Sequence, residues 1–191
     1  MTKGRLEAFS DAVIAIVMTI MVLELVPPHE ATVEALLGLW PIFLAYILSF
    51  VHLAIYWNNH HHLLQACRTV SGRVLWMNML LLFWLSLIPF GTAWMGDTGF
   101  APLPTAAYGV VLLLSAFSYG LLVGALRAVP GQNELLAEAL GDDRKGWISP
   151  LLYLTAIPIA FFVPAISVGL YATVAAMWLI PDPRIERRIA D

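Results

Sequence analysis

Residues Arg5 to Glu24 read RLEAFSDAVIAIVMTIMVLE, an apolar run interrupted one turn in by Ser10 and Asp11. Crossing about 30 Å of hydrocarbon takes roughly 20 residues of helix, and a run of this length is a membrane span before it is anything else. Its surroundings agree. Of the 191 residues, 60% are hydrophobic, 12% are charged, and the mean hydropathy is +0.81. A water-soluble domain carries about 25% charged residues, so this chain cannot solvate a globule's surface and takes the bilayer as its solvent. With Cys67 its one cysteine, no intrachain disulfide forms. No small-residue cleavage site follows the first run; Pro27 and Pro28 do, and the run is read as a permanent span.

Working outward, five further spans are expected. The first runs from about Ala8 to Val26, the second from Leu36 to Trp57, the third from Val74 to Met95 with a bend at Pro89 and Gly91, and the fourth from Ala106 to Ala128. Trp147 to Ile180 would extend about 50 Å as one helix, so it is expected to fold as a hairpin turning near Val163 and Pro164. The ten Lys and Arg test this map: Lys3, Arg5, Arg68, Arg73, Arg127, Arg144, Lys145, Arg184, Arg187 and Arg188 all fall on one side. The opposite loops hold Glu30, Glu34 and Asp97. Positive-inside sorting then predicts an all-α membrane protein of six helices with both termini cytoplasmic, residues 1–191 forming one domain. Between Pro130 and Gly146, Leu135, Leu136, Ala139 and Leu140 suggest a short interfacial helix.

Ionisable groups inside a span are costly and mark function or pairing. On a helix at about 100° per residue, Arg5, Ala12, Ile16, Thr19, Ile20 and Leu23 cluster around a line about 130° from Asp11, whereas Glu7 lies about 40° and Ser10 about 100° to its other side. The carboxylate and the isoleucine stripe therefore face different surroundings. By periodicity alone the stripe is lipid contact or packing, as on any spanning helix.

Arg5-x-x-x-Phe9-Ser10-Asp11, with Thr19 and Leu23-Glu24 beyond, resembles the opening of the first helix in the endolysosomal potassium channel family and its single-repeat prokaryotic relatives. Trp57-Asn-Asn-His60 and Asn78-x-Leu-Leu-Leu, with Ile88-Pro89-Phe90, resemble further elements of that family. The resemblance implies a potassium-permeable channel, tetrameric around helix 1 and multi-pass in a prokaryotic plasma membrane, with K+ as permeant ion and no cofactor. It also implies a hydrophobic constriction that begins five positions after the aspartate, at Ile16, and continues through Ile20 and Leu23 with Thr19 beside them. Phe9, Ser10 and Asp11 are then expected to fix helix 1 against helices 2 and 3, with Trp57, His60 and Asn78 as partners.

Other features weigh less. Adjacent histidines on a helix point about 100° apart, so His60, His61 and His62 converge poorly on a metal. A single histidine cluster also argues against a membrane oxidase or desaturase, and no enzyme activity or nucleic-acid partner is expected. Ala116, Gly120 and Gly124 place small residues on one helix face, expected to pack closely within the chain, with an oligomer contact as the alternative. Trp40, Trp57, Trp94 and Trp147 mark span ends. Glu24 is an outer-mouth cation attractor or an interface residue. The alternatives to a channel are a secondary transporter, for which Pro158 and the short last helices are the hint but the first half offers no matching break, a proton-leak pathway, or a scaffold.

Overall fold

The structure, a computed structural model, describes residues 2–131 and 144–179. Eight helices cover these residues: α1 Lys3–Leu23, α2 Val33–Gly38, α3 Trp40–Gln65, α4 Gly72–Ser86, α5 Ile88–Asp97, α6 Pro102–Arg127, α7 Arg144–Ile159 and α8 Pro164–Leu179. Four runs are long and apolar enough to cross a membrane, namely α1, α3, α4 continued by α5, and α6. The α7–α8 pair forms the expected hairpin, each helix 16 residues long.

Local chemistry explains the boundaries. The α4–α5 run breaks at Leu87 because Pro89, in the first turn of α5, cannot donate to the preceding turn. Thr32 caps α2, its hydroxyl accepting from the Ala35 amide at 3.2 Å. Here the expected span from Leu36 is corrected: Leu36 belongs to this separate short helix, and α3 starts at Trp40 with Pro41 in its first turn. At its other end α3 continues through Asn58, Asn59 and the three histidines to Gln65, past the expected stop at Trp57. At 1.5 Å per residue, its 26 residues extend about 39 Å, so the polar last two turns project beyond a 30 Å hydrocarbon layer and need not end the helix. Likewise α1 starts earlier and ends earlier than hydropathy alone indicates. The interfacial helix expected over residues 135–140 lies outside the described residues.

Packing centres on α6, which contacts α4, α5, α7 and α8, while α1 lies against α3, α4 and α5. Close approach depends on particular glycines. A Cβ on Gly109 of α6 would collide with the Tyr171 hydroxyl of α8, which donates to the Thr105 carbonyl at 3.1 Å. One on Gly96 would lie 3.0 Å from the Ile42 backbone, which is how α5 and α3 come together. The expected close-packing stripe on α6 is corrected: a Cβ on Gly120 or Gly124 would meet nothing within 4 Å, so these two face open space.

The contrast is measurable. Gly109→Ala is expected to destabilise the purified protein by about 1–3 kcal/mol through overpacking, whereas Gly120→Ala leaves the thermal midpoint unchanged or raises it by removing a helical glycine. Equal midpoints for the two variants would contradict this packing.

The candidate pore helix and its anchor

Helix α1 has two faces. Leu6, Ser10, Ile14, Val17 and Met21 are buried against the bundle. At about 100° per residue these five centre about 130° from the line of Arg5, Ile16, Thr19, Ile20 and Leu23. The latter residues are all exposed: Ile16 is 57%, Ile20 42% and Leu23 76% accessible in the single chain. An apolar helix face without an intrachain partner is thus set opposite a well-packed one. Thr19, exposed on the same face, donates its hydroxyl to the Ile16 carbonyl at 2.9 Å, and its oxygen retains the capacity to accept.

The buried face is held by a directed hydrogen-bond chain. The Leu6 carbonyl can only accept, so Ser10 donates to it at 2.9 Å. Ser10 Oγ is then an acceptor, and Asn78 Nδ2 donates to it at 2.9 Å. Asn78 Oδ1 is left to accept from His60 Nε2 at 2.7 Å, which fixes the imidazole's Nε2–H tautomer. Ser10, Asn78 and His60 are all buried, on α1, α4 and α3 respectively. Three helices therefore meet at one carboxamide.

Asp11 lies on the flank between the two faces. Trp57 Nε1 donates to its Oδ1 at 3.0 Å, and the Trp57 ring stacks on His61 with centroids 5.9 Å apart. The expected partners are thus divided: Trp57 goes to Asp11, while Asn78 and His60 serve Ser10. Phe9 and Arg5 point away from the bundle, Phe9 being 45% exposed, and neither is brought to this network. At the end of α1, Lys3 pairs with Glu7 at 3.8 Å and donates to the Gln65 carbonyl at 3.4 Å, where a cation meets the C-terminal end of the α3 dipole.

A second buried polar junction, unanticipated from the sequence, sits toward the other end of α1. Tyr108 and Ser49 hydroxyls lie 2.9 Å apart, Ser49 and Thr92 2.6 Å apart, and Thr92 donates to the Ile88 carbonyl at 2.7 Å while its Oγ1 sits 3.9 Å from Met21 Sδ. Among the described residues no cluster of three His, Cys, Asp or Glu side chains is arranged to hold a metal. Cys67, just past α3, donates to the Leu63 carbonyl at 3.1 Å, and burial pushes its thiol up to about 11.

Long apolar helices with buried polar junctions between them define a multi-span integral membrane protein. Its relatives are more specific. A family model described as the endosomal/lysosomal potassium channel TMEM175 matches residues 5–89, the segment that contains all but the first two residues of α1, all of α3 and α4, and both ends of the hydrogen-bond chain. A potassium channel of Chryseobacterium sp. (strain P1-3) is 49% identical over 191 residues, covering 100% of both chains. The crystal structure of a lysosomal potassium-selective channel TMEM175 homolog from Chamaesiphon minutus superposes with a TM-score of 0.80 at 30% identity, covering 93% of this chain and 96% of that one. The human protein named endosomal/lysosomal proton channel TMEM175 is 33% identical over 116 residues, 54% of this chain and 23% of its own length. The chain belongs to the TMEM175 family. These relatives are named as channels, not enzymes.

Two outcomes check the anchor. Interhelical hydrogen bonds in membranes are each worth only about 0.6 kcal/mol on average, because the unfolded chain finds other partners; stranding a buried group costs about 1–3 kcal/mol. Asn78→Ala strands both Ser10 and His60 and is expected to cost more stability than Trp57→Phe, which frees a half-exposed carboxylate to meet water. Denaturation midpoints rank the two, and a greater loss for Trp57→Phe would contradict the assignment. The Cys67 thiol, with almost no thiolate at pH 7.5, is expected to react with maleimide only on unfolding, which gives an independent readout of the same ranking; full labelling of the native protein would contradict its burial.

Proposed function

We propose that the protein is a potassium-permeable cation channel assembled as a homotetramer, with α1 of each subunit facing the central axis. Its six spans are α1, α3, α4–α5, α6, α7 and α8, with both termini on the cytoplasmic side of a prokaryotic plasma membrane. The observation that carries this reading is the exposed stripe of Ile16, Ile20 and Leu23 on a helix whose opposite face is anchored to three others. The names of the bacterial relatives supply the ion.

Isoleucine and leucine rings cannot coordinate a cation, but in a narrow neck they exclude water and make the ion shed part of its shell. Potassium holds that shell less tightly than sodium, so the neck favours potassium without any carbonyl cage. Thr19 contributes an exposed hydroxyl oxygen beside Ile16 and Ile20. Ser10 and Asp11 act at a distance from the ion: they set the rotation of α1 through Asn78 and Trp57, and the rotation decides which side chains reach the axis. Arg5 and Phe9, exposed beside the anchor, belong to the subunit interface in this assembly.

In liposomes with opposed potassium and sodium gradients, Ile16→Ala is expected to raise flux and to move the reversal potential toward zero; an unchanged reversal potential would remove Ile16 from the selectivity element. Asp11→Ala is expected to reduce assembly and leave ion preference intact. A stable oligomer with altered preference would place Asp11 in the ion path. Because vertebrate relatives are named proton channels, a pH-sensitive dye inside the same liposomes separates the two ions: proton flux without potassium flux would overturn the potassium reading.

A further inference from the structure

Arg5 is the residue of the Arg5-x-x-x-Phe9-Ser10-Asp11 segment that the anchor leaves out. It stands on α1 about five full turns before Leu23, so the two share one azimuth. Phe9, Ala12, Ile16, Thr19 and Ile20 fall within about 60° of them, and all seven residues are exposed in the single chain. This line carries one charge, a guanidinium whose Cα lies about 16 Å along the axis from that of Ile16.

The other charges at this end of α1 lie elsewhere and have partners. Lys3 pairs with Glu7 at 3.8 Å, and Asp11 accepts from Trp57 at 3.0 Å. All three are at least about 120° around the helix from Arg5. Among the described residues nothing pairs with the Arg5 guanidinium. An arginine keeps its proton at any pH a cell meets, so this charge is permanent.

We propose that Arg5 makes conduction asymmetric, four copies of its guanidinium ringing the cytoplasmic mouth and hindering potassium that enters from that side. The inference rests on the tetramer with α1 at its axis: symmetry repeats Arg5 at one level around the path that Ile16, Ile20 and Leu23 line. A like charge at an entrance lowers the local concentration of the ion, the reverse of the focusing that speeds capture of an opposite charge. Its reach in water is about 10 Å at 0.1 M salt and about 30 Å at 0.01 M. Ion entry is therefore its target, while dehydration in the neck, two to five turns deeper, is set by the apolar residues. At the other end the line stops at Leu23, followed by the exposed carboxylate of Glu24. Potassium meets repulsion from one side alone, and inward current exceeds outward.

Inside-out patches excised from cells that express the full-length protein fix its orientation. At about 10 mM potassium on both sides, where screening is weak, the wild type is expected to pass more inward than outward current at equal and opposite voltages. Arg5→Gln is expected to raise the outward current at least about twofold relative to the inward, and Arg5→Lys, which keeps the charge, to retain the wild-type ratio. Impermeant N-methylglucamine chloride added to the cytoplasmic bath alone screens the inner mouth but not Glu24. It is expected to raise the wild-type outward current in the same way and to leave Arg5→Gln unchanged. A potassium current that is equal in both directions, or whose ratio is insensitive to Arg5→Gln or to cytoplasmic salt, would overturn the role of Arg5 and leave the channel standing. Absence of any potassium current would overturn the channel and this inference with it. If Arg5→Gln fails to assemble, the cytoplasmic-salt measurement on the wild type decides.

Discussion

A carboxamide buried in a membrane protein has two N–H donors and an oxygen to satisfy, and no water to do it. Asn78 meets that constraint at its oxygen and at one N–H by joining three helices at one point: Nδ2 donates to Ser10 of α1 and Oδ1 accepts from His60 Nε2 on α3. Because each proton's direction follows from the Leu6 carbonyl at the end of the chain, the arrangement admits one rotation of α1 about its own axis. Turning α1 by one residue, about 100°, would carry Ser10 out of reach and bring a different stripe outward. What α1 shows to its neighbours in an assembly is therefore decided inside the subunit.

In the proposed channel, that division of labour gives the ionisable group on α1 a structural role. Asp11 sits on the flank of α1, held by Trp57, and steadies the helix at the end where Lys3 also reaches the Gln65 carbonyl of α3. The face left over is apolar. In the proposed channel an apolar neck places selection on the cost of dehydration, and the second junction of Ser49, Thr92 and Tyr108 lies against the Met21 end of the same helix.

Much of this was legible in the sequence. Apolar runs of bilayer length gave the long helices, Pro89 gave the break after Leu87, and the angular positions on α1 separated Ser10 from the isoleucine stripe. The continuation of α3 through Asn58 to His62 was not legible, because hydropathy reports where the membrane ends and not where hydrogen-bonded backbone ends. Those polar residues are kept helical by tertiary partners, the Asn59 carbonyl by Tyr119 at 3.2 Å and His60 by Asn78. Trp57, His60 and Asn78 could be named as partners of the Phe9-Ser10-Asp11 segment, but their assignment to particular atoms depends on three-dimensional register. The glycines on α6 show the same limit: Gly120 and Gly124 have the spacing of a packing motif and face open space, while Gly109, outside that motif, makes the close contact.

The central claim is that the anchored rotation of α1 aims Ile16, Ile20 and Leu23 at the axis of an oligomer. A structure of the assembled protein in lipid nanodiscs, viewed down its symmetry axis, tests it most directly. Four copies of α1 with those side chains converging on the axis, and with Asp11 turned toward Trp57 of its own subunit, are the predicted result. An assembly in which the stripe lies on the lipid-facing perimeter would contradict it.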